Sequence, residues 1–386
     1  MTAPPPAPAA ANDAPVIVAA LRTPIGSSGH ALATVDAAGL AAPVLDALVR
    51  ELPRHLTVDE VVLGNCMGPG GDVARVATLA AGLPQSTPAL TVDRQCGSGL
   101  AALDVAAALL VRRPGLVLAG GVESASTAPW RFWPPSGDKG LVHYERAPFA
   151  PADVGDPEMG LAADLLAEEH GISRARQDAY AARSHARALR ARDVGLFDAE
   201  VVPVAGVTRD ERPRAVTVER LARLRPAFRE SGTVTAGNSC GINDGAAAVA
   251  MVDAATQRRL HLPGLRVLAT ATSGVDPNRP GIGLVPAANA ALAQAGLALG
   301  DIDVVELNEA FAGQVLACCD ALGLDEHRVC ADGGALGLGH PWGASGAVLA
   351  VRLFSRLVRS GRGGTGLAAI AVGGGQGVAM VVQACL

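Results

Sequence analysis

The sequence predicts an α/β protein made of two similar halves around largely parallel sheets, with a segment of different texture between them. Three observations point there. From Pro15 onward, short apolar, partly β-branched runs alternate with longer Ala/Leu-rich runs at helical spacing. A glycine-rich turn, a long helix and an apolar strand are written in CGSGLAALDVAAALL (96–110) and GLVLAGGVES (115–124). The same succession returns in GASGAVLAVRLFSRL (343–357) and GLAAIAVGGGQG (366–377), so the two helix starts fall at related positions of a duplicated chain. Between them, 128–241 holds Trp130, Trp133, Tyr144, Tyr180, most charge runs and many prolines, the texture of an insertion.

The first residues, MTAPPPAPAAANDAP, have neither a basic nor an apolar stretch and read as a disordered tail over 1–14, not a targeting peptide. Val16 to Ala20 reads as a central strand. Ala33 to Leu52 has helical spacing, and Val58 to Leu63 is a strand closed by Gly64. Arg75 to Ala81 is a helix stopped by Gly82-Leu83-Pro84. Ala89 to Val92 is a strand running into Cys96 and its helix. Glu168 to Arg192 is helical, with charges on solvated faces, and Ile302 to Leu307 is an apolar strand.

Composition narrows the function. At 49% hydrophobic and 3% aromatic residues, the core must be built from Ala, Val and Leu. A net charge of −5 argues against a nucleic-acid binder that works by phosphate neutralisation. Lys139 is the single lysine, so Arg carries the positive charge. Seven cysteines without a CxxC pair give neither a disulfide scaffold nor a metal site, and free thiols suggest a reducing compartment. No apolar run reads as long enough to cross a bilayer unbroken, so the expected location is the cytoplasm, with no membrane partner.

Cys96 lies between a strand and a glycine-flanked helix start. There the helix dipole and unpaired N–H groups are expected to lower its thiol pKa and favour the thiolate. His340 sits in GGALGLGHP (333–341), a glycine density that suits close approach of a ligand. If the halves are related by a pseudo-twofold, Cys96 and His340 meet as an activated nucleophile and its base. Asn308, at the end of an apolar strand, is a candidate oxyanion or water ligand, with a helix cap as the bland alternative. The run Gly373-Gly374-Gly375 offers backbone N–H groups for an oxyanion hole, or is simply a tight hairpin. Phosphate-loop and dinucleotide fingerprints are absent from the sequence.

These segments, with VIVAALRTPIG, MGLAADLLAEEHGISRARQDAYAARSHARA, RPAF, GTVTAGNSCGINDGAAA, NEAFA, GHPWGASGA and GGGQGVAM, resemble the thiolase family over nearly the whole chain after the tail. The resemblance implies a duplicated, layered αβαβα fold. Its first half is 15–127 plus 242–263, its inserted loop domain 128–241 and its second half 264–386. It implies an acyltransferase with a coenzyme A thioester as substrate, no other cofactor, an acyl-cysteine intermediate, and a homodimer or homotetramer. By resemblance Cys96 is the acylated nucleophile, His340 its base, and Asn308 the holder of a water in one oxyanion hole. The N–H groups of Cys96 and Gly373 form the other. Phe228, Ala236, Ser239, Cys240, Met159 and Arg225 fall at substrate-binding positions. Arg212, Arg214, Arg220, Arg223 and Arg225 are candidates for holding the phosphates.

The chain departs from the family pattern at four places. Ala371 stands where a second reactive cysteine belongs, Glu158 where a histidine does, and Cys240 where a serine does. Cys330-Ala331-Asp332 replaces an Asn-x-Asn run. The leading expectation is C-acyl transfer on acetyl or 3-oxoacyl thioesters of coenzyme A or a carrier protein, with Cys240 or Glu158 as substitute base. The alternative is decarboxylative or non-Claisen transfer to a malonyl-type, amine or hydroxyl acceptor, which needs no base at position 371. A decayed, thioester-binding partner subunit is the third reading.

Overall fold

The computed structural model describes residues 13–138 and 140–385. The expected tail falls almost wholly outside them, as does Lys139. The first half runs β1 (Val16–Arg22), β2 (Gly26–Ser27), α1 (Ala37–Glu51), β3 (Glu60–Gly64), α2 (Val73–Ala80), β4 (Ala89–Val92), α3 (Ser98–Arg112) and β5 (Leu116–Ser124). Next come β6 (Arg131–Trp133), β7 (Val142–Tyr144), α4 (Met159–Glu169), α5 (Arg174–Asp193) and α6 (Val218–Leu221), then β8 (Asn243–Val252) and α7 (Ala254–Leu260). The second half runs β9 (Gly264–Gly274), α8 (Leu284–Ala295), β10 (Val304–Leu307), α9 (Ala312–Leu322), α10 (Ala335–Leu338), α11 (Trp342–Phe354), β11 (Thr365–Val372) and β12 (Gln376–Cys385).

Caps move two helices from their expected bounds. Asp36 accepts from the Gly39 N–H at 2.7 Å, so α1 starts at Ala37 rather than Ala33. Asp72 accepts from Arg75 N, so α2 starts at Val73. A 3₁₀ turn at Leu299–Asp301 delays β10 to Val304.

The main sheet has the order β10-β11-β12-β9-β1-β8-β5-β3-β4. Its middle is thin: β1 and β9 share only the pairs Val16↔Arg266 and Ile17↔Leu265. Outward from that seam the halves repeat. One reads β1-β8-β5-β3-β4; the other reads β9-β12-β11-β10, followed by a parallel bridge Val305↔Val329 where β4 stands in the first. The strand senses repeat too. β1–β8 and β9–β12 are antiparallel, as are β5–β8 and β11–β12, while β3–β5 and β10–β11 are parallel. The sheets are therefore mixed, not largely parallel, because β8 and β12 each return antiparallel to the strand before them.

Alternate residues of these strands serve different layers. Val62, Val117, Val249, Ile370 and Met380 join α3 and α11 in a central core. Val61, Leu63, Leu118 and Ala250 face α1 and α2 on one outside, and Leu367, Ala369 and Val381 face α8 and α9 on the other. The result is the five-layer αβαβα arrangement, and burial on both faces explains the unbroken apolar runs. The stretch Gln95–Arg112 is, by length and composition, apolar enough to cross a membrane, although Gly97, Gly99 and Asp104 interrupt it. It is the central helix and its approach, and half of it is buried in the protein. In the first half, residues 125–242 lie between β5 and β8; in the second, the turn Gly373–Gly375 joins β11 to β12, with Gly374 and Gly375 at φ +80° and +77°.

Candidate active site

β4 delivers the chain to Gln95, a non-glycine residue at φ 45°. Its turn is stitched on both sides. Asp93 accepts from Gln95 N at 2.8 Å, and Ser98 Oγ accepts from Arg94 N at 2.8 Å and donates to Gln95 O at 2.6 Å. Cys96 follows, one residue ahead of the Gly97 cap of α3. Its environment corrects the sequence expectation. Burial pushes the thiol up to about 12, helped by Cys240 and Glu123, and only the N–H groups of Cys96 and Gly373 pull it down. In the free protein Cys96 is a thiol and needs a base to lose its proton. The same two N–H groups are those expected to cradle an oxyanion.

The candidate base, His340, is 2% exposed and brought in by the turn after α10. Its N–H donates to Asn243 Oδ1 at 2.9 Å. Its Nδ1 lies 2.6 Å from Ser345 Oγ, which itself donates to Pro341 O at 2.9 Å. Ser345 has one proton and spends it on Pro341, so Nδ1–H is the donor to Ser345 and Nε2 is left as the acceptor. Burial holds the imidazole down to about 3, so it stands neutral. Asn308, at the end of β10, directs Nδ2 to His340 Nε2 at 3.4 Å. Beside it, Glu309 pins the loop to α5 by accepting from Tyr180 Oη at 2.9 Å and Ser184 Oγ at 2.6 Å.

One carboxylate ties the thiol's half to the imidazole's half. Glu123, at the end of β5, accepts from Gly343 N at 3.0 Å, Cys66 Sγ at 2.9 Å, Met67 N at 3.0 Å and Asn65 Nδ2 at 3.0 Å. The two helices then meet without side chains between them. A methyl on Gly99 would sit 2.6 Å from Ala347 N, and one on Gly346 would sit 2.4 Å from Leu100 N. Cys96 Sγ and the imidazole share no hydrogen bond; the protein sets the two loops side by side.

Cys96 opens on a mostly apolar cavity, shared with Met159, Ala162, Pro280, Phe311, Gln314 and Ala371. Met159 and Ala371 thus fall in the cavity with the nucleophile. Phe228 is half-exposed and stands edge-on to Phe311 at 6.1 Å, against Gly160. Ser239 is turned away, its Oγ donating to Thr235 O at 2.7 Å, and Ala236 is exposed on the same turn. Cys240 N donates to Ala310 O at 2.9 Å, which places the residue behind the Asn308 loop. Arg214, Arg220, Arg223 and Arg225 are exposed, whereas Arg212 is half-buried with its guanidinium against Gly241. Glu158 caps α4 by accepting from Gly160 N and Leu161 N at 2.9 and 3.1 Å, so its carboxylate is engaged as a cap rather than poised as a base.

Sequence reading missed Ser345, Asn243, Glu123 and Gln314. Ser345 and Asn243 lay inside quoted motifs, but their roles depend on contacts across the fold. Gln314 is 2% exposed, lines the cavity and leaves its Oε1 without a partner among the described residues.

A duplicated five-layer fold that sets a thiol, a neutral imidazole and paired N–H donors on adjoining loops has the parts of a group-transfer enzyme. Residues 15–255 match the family description "Thiolase, N-terminal domain" and residues 263–384 match "Thiolase, C-terminal domain". An acetyl-CoA acetyltransferase of Pseudomonas aeruginosa is 42% identical over 389 residues, covering 95% of this chain and 98% of that one. A Staphylococcus aureus protein described as a "Probable acetyl-CoA acyltransferase" is 41% identical over 388 residues, with the same coverage. The crystal structure of the Bacillus anthracis acetyl-CoA acetyltransferase superposes with a TM-score of 0.89 at 38% identity, covering 97% of this chain and 99% of that one. The chain belongs to the thiolase family, and it is an acyltransferase.

Proposed function

We propose that this enzyme transfers acyl groups from acetyl- or acyl-coenzyme A through an acyl-Cys96 intermediate to the carbon of a second thioester, making or cleaving a 3-oxoacyl thioester. The observation that carries the reading is the orientation of His340: neutral, with Nδ1–H given to Ser345 and Nε2 left as the acceptor, facing Asn308 Nδ2. Cys96 attacks the thioester carbonyl as Nε2 takes its proton. The oxyanion develops on the N–H groups of Cys96 and Gly373, and the coenzyme A thiolate departs. Asn308 and His340 then hold the oxygen of the second thioester. The relatives' names supply the acetyl-CoA substrate; a carrier-protein thioester reaches the same thiol.

The exposed arginines 214, 220, 223 and 225 serve the phosphates, and Phe228, Ala236, Cys240 and Met159 the pantetheine and acyl group. We place the enzyme in the cytoplasm as a homodimer or homotetramer, with the exposed aromatics Trp130, Phe132 and Trp133 on β6 and its approach supporting association. Ala371, which offers only a methyl to the cavity, favours a second reading: decarboxylative transfer, or transfer to an amine or hydroxyl, where no α-proton is removed. Product analysis with acetyl-CoA alone, with malonyl-CoA added, and with amine and alcohol acceptors separates the two. A 3-oxoacyl product from acetyl-CoA alone supports the first; its appearance only with malonyl-CoA, or an amide or ester, supports the second. Intact-protein mass after acetyl-CoA checks the intermediate, since no added acyl mass on Cys96 overturns both.

A further inference from the structure

We infer that a second cavity, behind the His340 imidazole, holds one ordered water, and that Arg352, acting through it, is a positioning residue that fixes which nitrogen of His340 carries the proton. The inference rests on the reading of His340 as the base for Cys96 and deepens it.

The cavity measures about 20 Å³ and shares no lining residue with the one that Cys96 opens on. Two periodicities build it. Along β10 and the residue after it, Glu306 and Asn308 stand two apart and both line the cavity, while Val305 and Leu307 between them serve the outer layer. Along α11, Ser345, Val348, Leu349 and Arg352 fall at helical spacing on one stripe, and all four line the cavity from the other side. Residues of α10 and its flanking glycines close the end.

The hydrogen bonds around this space lack one partner. Arg352 is 2% exposed. Its Nη1 goes to Glu200 and its Nη2 to Asp332 Oδ2 at 2.7 Å, but its buried Nε has no partner among the described residues. A buried donor is rarely left so. Glu306, also 2% exposed, accepts from Arg356 Nη1 at 3.2 Å, and a carboxylate has room for more donors. Ser345 Oγ accepts from His340 Nδ1 and donates to Pro341 O, which leaves it one lone pair. A water needs roughly 10–15 Å³ and makes about three hydrogen bonds when buried. One donor and two acceptors around this cavity meet both conditions.

The directions of those bonds are then forced. Arg352 Nε can only donate, and the Glu306 carboxylate, paired with Arg356, can only accept. The water therefore accepts from Arg352, gives one hydrogen to Glu306 and gives the other to Ser345 Oγ. With that lone pair taken, Ser345 keeps its own hydrogen on Pro341 O and meets Nδ1 only as an acceptor. Nδ1 carries the proton, and Nε2 is kept open for the proton of Cys96. Without the water, the Ser345 hydroxyl is free to turn its hydrogen toward Nδ1. The proton of the neutral ring then moves to Nε2, where it blocks uptake from the thiol.

Diffraction from crystals of the whole protein reads the water directly, as a density peak within hydrogen-bond distance of Arg352 Nε, Ser345 Oγ and the Glu306 carboxylate. Val348→Ile then fills the space and touches none of the ion pairs of Arg352. Displacing the water should slow acyl loading of Cys96 by acetyl-CoA roughly 10-fold, at an unchanged Michaelis constant. The melting temperature should fall, and ¹⁵N spectra of His340 should show Nε2–H growing at the expense of Nδ1–H. Val348→Ala loosens the same spot but leaves the water its place, so it should lose stability and still load at close to the wild-type rate. Arg352→Lys keeps a charge for Glu200 and Asp332 without a donor at the place of Nε, and should follow Val348→Ile in loading and in the ¹⁵N spectrum. Should Arg352→Lys fail to fold, the two Val348 variants decide. An empty cavity in the crystal, a Val348→Ile variant that melts higher or loads as fast as wild type, or a Val348→Ala variant slowed as much as Val348→Ile overturns the inference. A wild type that takes up no acyl group overturns the acyl-Cys96 reading and the role of Arg352 in loading, while diffraction and the ¹⁵N spectra still judge the water and the tautomer by themselves.

Discussion

The two halves repeat strand order, strand sense and central helix, yet close differently. In the second half three glycines turn β11 into β12; in the first, residues 125–242 fill the same connection. The difference teaches how one duplicated unit makes an asymmetric site. The bare turn lets the Gly373 N–H reach the Cys96 sulfur. The long connection supplies what a turn cannot: Met159 for the cavity, α5 to pin Glu309, and Arg212 beside Gly241. At the equivalent helix starts one half presents a thiol and the other an imidazole.

The sharpest break of that division is to remove each group in turn. Cys96→Ala should take up no acyl group, because nothing else at that helix start is nucleophilic. His340→Ala keeps the nucleophile and loses its base, so loading should slow by about 10²–10⁴-fold. Intact-mass time courses with acetyl-CoA read both. Full loading of Cys96→Ala would contradict the assignment of the nucleophile.

The next largest effect lies where the halves touch. Gly99 and Gly346 let the central helices cross with backbone against backbone, and an added Cβ at either meets main-chain nitrogen at 2.6 or 2.4 Å. Backbone on both sides cannot rotate away. Gly346→Val should therefore cost about 1–3 kcal/mol or more in denaturant unfolding, as overpacking does. An equal substitution at the exposed, φ-positive Gly361, where strain is local and no neighbour is met, should cost less. Equal losses at the two positions would mean that the crossing is not the tight point.

These features divide by how far they depend on tertiary contact. The strands, helices, duplication and both glycine-rich turns were legible because apolar period and glycine density are local signals. The sense of β8 and β12 was not, since parallel and antiparallel buried strands share one pattern. The Cys96 thiol misled for a similar reason. A helix start lowers a thiol when solvent is near, but here burial outweighs the N–H groups and pushes it to about 12. The tie between halves through Glu123 joins residues from Asn65 to Gly343, a span that no spacing rule covers.

Ser345 sharpens the comparison on the imidazole side. It fixes which nitrogen of His340 carries the proton, whereas no side chain does a matching job for Cys96. In Ser345→Ala the ring loses its acceptor and can rotate or change tautomer. We expect acyl loading to fall roughly 10-fold, the equivalent of about 1.4 kcal/mol for one hydrogen bond to a group that becomes charged. The Michaelis constant for acetyl-CoA should change little, since Ser345 lies behind the ring and lines no part of the Cys96 cavity. A raised Michaelis constant at unchanged loading would assign Ser345 to binding instead.

A last contrast sets two buried histidines side by side. His340 has a partner for Nδ1, whereas His185 in the inserted region is 2% exposed with Nδ1 unpartnered among the described residues. Burial, then Arg214 and Arg212, lowers His185 to about 4. Its folded value lies below its unfolded one, so from pH 6.5 down to about 4 the unfolded chain binds a proton that the native chain refuses. Stability is lost as pH falls through that window, by up to about 1.4 kcal/mol per pH unit. His185→Leu removes the titrating group and keeps much of the packing. Whatever the substitution costs at pH 7.5, the variant should gain on wild type by roughly 2 kcal/mol at pH 5 in matched denaturant titrations. Parallel curves for the two proteins across that range would show that His185 takes up its proton as readily in the folded chain, and that the two arginines and the buried site do not restrain it.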